Sequence, residues 1–124
     1  MYWEMDFNGS AISEIVTEPL VLEIRFSEAH LLKKEGVNEL RFFAPALMKI
    51  GHPKFKRLPS KGRLTDGELY GVPGKPLNGR LPIDLLLKRP CELTLSVEDE
   101  EFTIHGKSFH LVVDLKAAKE SGLS

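Results

Sequence analysis

Between Glu92 and Asp114 apolar and polar residues alternate through two tight turns. Leu93, Leu95 and Val97 fall on one face, followed by Phe102 and Ile104, then Phe109, Leu111, Val113 and Leu115. Asp99-Glu100 and Gly106-Lys107 separate these runs and suit short hairpin loops. Period-two alternation punctuated by turn residues predicts antiparallel strands with one buried face.

The rest of the chain reads the same way, less cleanly. Trp3, Met5 and Phe7 alternate with acidic residues and stop at Asn8-Gly9, which predicts a short strand and a turn. Ala11 to Thr17 is a second strand, and Leu20 to Phe26 a third, with Leu20, Leu22, Ile24 and Phe26 facing one way. Ser27 to Lys34 fits two descriptions: a short helix capped by Ser27, or a strand from Ala29 to Lys33 turning at Gly36. Glu39 to Ile50 is a longer apolar strand. Pro45 within it removes a ladder donor and so predicts an edge or a bulge.

Residues 51 to 81 differ in kind. Pro53, Pro59, Pro73 and Pro76 fall here, with Pro82 just beyond, among six glycines. Glu68-Leu69-Tyr70 is the one short strand expected inside this loop-rich segment, which is either functional or plain connection. Gly62-Arg63-Leu64 returns as Gly79-Arg80-Leu81, an echo that would mark two similar turn-to-strand beginnings rather than a solenoid repeat. Ile83 to Leu87 leads into the final strands, and Ala117 to Ser124 reads as a flexible tail with at most one helical turn. The expected fold is all-β: one antiparallel domain over residues 1–116, a β-sandwich or small open barrel of eight or nine short strands with little helix.

Composition narrows the function classes. Seventeen basic and 18 acidic residues leave a net charge of −1, so the global field common among nucleic-acid and anionic-membrane binders is missing. Low net charge also gives little protection against self-association. Cys91 is the only cysteine, which rules out an internal disulfide and points to a reducing compartment. The start of the chain, Met1 to Asp6, is acidic and matches neither a signal nor a transit peptide. No apolar run is long enough for a transmembrane helix, so membrane insertion is not expected and a cytoplasmic location is.

Candidate chemistry is sparse. A two-residue loop at Gly106-Lys107 would pair Ile104 with Phe109 and Thr103 with His110. His105 and His110 would then be diagonal neighbours on the outer face, about 7–8 Å apart between backbones. With Glu101 or Asp114 they are the best metal candidates, but a zinc site takes three or four ligands and no metal-motif spacing is present. No metal and no cofactor are expected. His30 and His52 titrate in a useful range but lack an evident orienting partner or nucleophile. Cys91 follows Pro90 at a strand start and reads as a structural thiol. Asp84 interrupts an apolar run, and Gly71-Val72-Pro73-Gly74 opens no helix, so it is not a nucleotide loop. Tyr2 and Trp3 are expected to pin the first strand to the core.

The main surface candidate is the basic loop 52–63. Lys54, Lys56, Arg57, Lys61 and Arg63 crowd together around Phe55 with no acidic residue between Gly51 and Thr65. Its counterweight is Glu98-Asp99-Glu100-Glu101 at the first of the final turns. Complementary patches suit docking to a protein partner or self-association as a homodimer. The expectation is therefore a non-enzymatic binding or assembly module acting through protein–protein contacts. Two alternatives stand behind it. One is a small hydrophobic or lipid ligand inside a barrel lined by Phe26, Phe42, Phe102 and Phe109. The other is nucleic acid on the basic loop, which the near-neutral charge makes an unlikely partner.

Overall fold

A computed structural model describes residues 2–74 and 77–121. Strand makes up 71% of the described residues and helix 3%, in one antiparallel sheet curled into a half-barrel. Three long strands come first: β1 (Tyr2–Glu18), β2 (Val21–Glu35) and β3 (Asn38–Gly51). Shorter ones follow: β4 (Lys54–Phe55), β5 (Gly62–Tyr70), β6 (Arg80–Pro82), β7 (Leu86–Leu87), β8 (Cys91–Val97), β9 (Glu100–Gly106), β10 (Ser108–Val113) and β11 (Lys119–Glu120). They run in the order β4-β9-β8-β5-β1-β2-β3-β10-β7, with β6 paired to β1 and β11 to β3.

The first strands are longer than the turn signals suggest because two of those signals are bulges. Asn8-Gly9 does not end a strand. It lies where the β1–β2 register shifts between Asp6 and Ala11, and β1 continues beyond it. Ser27-Glu28 likewise forms no helix. Those two residues bulge out of β2 opposite Pro45, which stands between the paired residues Ala44 and Ala46. The proline cannot donate to the ladder, so the partner strand loops out across from it.

The end of the chain departs furthest from expectation. Glu98-Asp99 does turn β8 into β9, one residue earlier than the pattern implied, with Val97 opposite Glu100. Gly106-Lys107, however, is not a hairpin: β9 and β10 do not pair with each other. They are two halves of one bent strand whose partner is likewise bent, from β3 into β4. Ala46 faces Val113, Gly51 faces Ser108, Lys54 faces His105 and Phe55 faces Ile104, one continuous register across the bend. This ribbon ties the two ends of the sheet path together. The bend needs Gly106, because a Cβ there would overlap Ile50 Cγ2 and lie 3.3 Å from the Gly51 and Ser108 carbonyl oxygens.

Apolar residues of every long strand meet in one core, which includes Met5, Phe7, Ile24, Phe26, Met48, Leu95, Phe102, Ile104 and Phe109. Trp3 packs on it from the side, its ring 5.1 Å from that of Phe42. The Gly-Arg-Leu echo has a structural meaning. Each copy opens a strand that pairs with β1, Gly62-Arg63 opposite Ile12-Ala11 and Arg80-Leu81 opposite Asp6-Met5. Each leucine is buried, and each arginine reaches a carboxylate. Around the expected tail from residue 117, a 3-10 helix (Leu115–Ala117) leads into β11, which lies against Phe42 and Phe43 of β3. Residues 122–124 of that tail, and Pro76 of the loop segment, lie outside the described residues. No helix among the described residues is long and apolar enough to cross a membrane.

Candidate functional site

Strand β4 is one end of the sheet path and covers only His105 and Ile104 of its neighbour β9. Where β4 stops, a side chain takes over from backbone. The Arg57 guanidinium donates to the Glu101 carbonyl oxygen at 3.2 Å, pairs with the Glu100 carboxylate and lies 4.5 Å from the centre of the Phe102 ring. A groove of about 530 Å³ opens there, lined by Lys54, Phe55, Lys56, Arg57, Thr103 and His105 among others. Phe55 is 39% exposed, a large apolar surface for a sheet edge. Among the described residues Lys54 and Lys56 are in no ion pair, and Glu101 also lines the groove, so one positive charge remains in excess.

The six residues singled out in the basic loop therefore divide. Lys54, Phe55, Lys56 and Arg57 converge on the groove. Lys61 stands exposed just before β5, and Arg63 turns to a different part of the surface, where it binds Glu28. The five cations do not make one stripe. The acidic turn is also not a remote counterpatch, since Glu100 pairs with Arg57 of the same chain. His105 and His110 are not brought together by a turn. They sit five residues apart along the bent strand, His105 beside Glu92 at 3.4 Å and His110 opposite Lys49 and Leu86. No group of three metal-ligating side chains occurs among the described residues. Cys91 is buried, and burial pushes its thiol pKa up, the opposite of an activated nucleophile. Asp84 occupies a turn at φ 66° rather than a strand.

A second polar site went unnoticed in the sequence. The two bulges of β1 and β2 meet on the outer face around His30, which with Ser10 is one of two buried polar residues among the described residues. The His30 backbone N–H donates to Ser10 Oγ at 2.8 Å, and that hydroxyl donates to the Asp6 carbonyl at 2.7 Å. Nδ1 of His30 donates to the Asn8 carbonyl at 3.0 Å, and Nε2 faces Arg41 at 3.5 Å. A carbonyl only accepts and a guanidinium only donates, so these partners suit the tautomer with its hydrogen on Nδ1 and its lone pair on Nε2. Gly9, at φ +93°, lets the bulge close over the imidazole, since a Cβ there would lie 3.3 Å from Nδ1. Arg63 donates to the Gly9 carbonyl and fixes the bulge from outside. The sequence near His30 offers it no orienting partner, because its partners lie 20 and 22 residues away in β1. The usable sequence signal was a histidine amid apolar neighbours, facing an Asn-Gly pair that a long strand must absorb.

No protein-family model matches the chain, no curated protein matches it, and no solved structure matches its fold.

Proposed function

We propose that this protein is a binding module that takes an extended, acidic segment of a partner protein along the β4–β9 edge. The observation that carries this reading is the incomplete ladder: backbone pairing stops after two residues, and one exposed arginine side chain holds the next carbonyl. An incoming strand can supply backbone hydrogen bonds in its place, while its alternate side chains meet Lys54, Lys56 and the exposed face of Phe55. Acidic side chains suit the uncompensated charge, and they compete with Glu100 for Arg57.

The test uses an alternating glutamate–valine peptide and its lysine–valine counterpart, titrated separately into isotopically labelled protein. The acidic peptide should shift backbone amide resonances of β4 and β9 saturably, and Lys54→Glu with Lys56→Glu should weaken it by about tenfold or more. Equal response to both peptides, or shifts confined to the opposite side of the barrel, would refute the proposal. Light scattering in the same samples separates partner binding from pairing between two copies.

A further inference from the structure

The basin around His30 stands apart from edge docking and has the makings of a ligand site of its own. It encloses about 630 Å³, and its walls include Asp6, Gly9, Glu28, Arg41, Phe43 and Arg63. The side chain of Arg63 is 52% exposed and that of Arg41 48%, so both guanidiniums can be reached from solvent. Arg63 is already positioned, by the Gly9 carbonyl and by Glu28 at 2.8 Å. Arg41 is held loosely, 3.5 Å from His30 Nε2 and 4.0 Å from Glu39, both at the long limit of such contacts. His30 is only 9% exposed, yet among the described residues its Nε2 has no closer hydrogen-bond partner than that distant guanidinium. Phe43 stacks on His30 at 5.3 Å and lies 6.0 Å from the Arg63 guanidinium, giving the basin a flat apolar floor.

We propose that this basin binds the oxyanion group of a small molecule, a phosphate or a carboxylate, between the forks of Arg41 and Arg63. Planar guanidiniums match such groups two donors at a time. His30 Nε2 faces the Arg41 guanidinium at 3.5 Å. The two carboxylates leave the basin neutral overall, so the anion takes the Arg63 donors in place of the half-exposed Glu28 carboxylate, while Asp6 accepts the Asn8 N–H at 3.1 Å. An apolar portion of the ligand next to the anion lies against Phe43. The bulges explain why the site exists at all: Gly9 of the β1 bulge closes over His30, and its carbonyl accepts from Arg63.

The experiment titrates inorganic phosphate and sodium acetate separately, with sodium chloride at matched ionic strength as control. The readout is the His30 ring-nitrogen and Arg41 Nε resonances. A saturable shift with phosphate alone assigns a phosphoryl ligand, and with acetate alone a carboxylate. Arg41→Gln should weaken the response about tenfold, and Lys54→Glu should leave it unchanged. Arg41 lies on the surface, so its variant keeps the test alive if Arg63→Gln loosens the bulge. Shifts that chloride reproduces, or that survive Arg41→Gln, overturn the assignment. Loss of peptide binding at β4 would leave this result untouched, since the two sites share no residue.

Discussion

Ser10 and His30 are joined across a bulge, the hydroxyl of one accepting the backbone N–H of the other at 2.8 Å, with the serine fully buried. Oγ also donates to the Asp6 carbonyl, so one side chain bridges main-chain groups of the opposed pair Asp6 and His30, beside the register shift. Ser10→Ala leaves both unpaired in a dry site. The expected loss is about 1–3 kcal/mol, read from the urea midpoint at unchanged slope. Ser13→Ala, whose exposed hydroxyl makes a 3.3 Å contact with the Arg25 carbonyl, should stay within about 0.5 kcal/mol of the parent. Equal effects of the two would mean that the bulge does not depend on Ser10.

Gly106 marks the point where two backbones cross the corner together. An added methyl must push Ile50 aside, and Ile50 sits in the core with 1% exposure. Overpacking of this kind costs about 1–3 kcal/mol, so Gly106→Ala should unfold at lower urea than the parent. Backbone amides of Gly51 and Ser108 should exchange faster in the variant, because they lie across the same bend. A variant as stable as the parent would show that the two strands do not meet as closely as described.

Much of this fold was legible because period two is a local property. The alternation from Leu93 to Leu111 places each of those apolar residues inward, as found. Turn chemistry is local too, and there it misleads. Asn8-Gly9 and Gly106-Lys107 have the composition of hairpin loops, but one is a bulge and the other a corner. Which of these forms depends on strands far away in sequence: β10 finds β3 about sixty residues earlier. The same reasoning explains the two sites. Half of the basic loop could be read as a surface cluster, since Lys54 to Arg57 are contiguous. The His30 basin could not, because Asp6, His30, Phe43 and Arg63 come from four strands and meet only through register.

Cys91 links pH to stability in a defined direction. Burial raises its thiol pKa above the ordinary value of 9.0, so the fold favours the protonated form. The contribution is fully present below the unfolded value and is lost as pH rises through the higher folded one, because the unfolded chain releases its proton first. Urea midpoints measured from neutral pH to pH 10 should therefore fall more steeply for the parent than for Cys91→Ala. Parallel curves would show that the thiol is as well solvated folded as unfolded.

Arg57 separates what holds the molecule together from what keeps its edge closed. Its side chain is 57% exposed and that of Glu100 59%. An exposed pair of this kind contributes under about 1 kcal/mol, so Arg57→Ala should barely move the urea midpoint. The same substitution removes the only group donating to the Glu101 carbonyl from that side among the described residues. It also uncovers Phe102 beside the already exposed Phe55. An unpaired edge next to apolar surface invites pairing with another chain, and a net charge of −1 offers little repulsion. Light scattering against concentration should show the variant associating where the parent does not, and Phe55→Lys in the same background should reverse it. If the variant stays in the parent's association state while its stability drops by several kcal/mol, Arg57 is a structural anchor and not a guard on the edge.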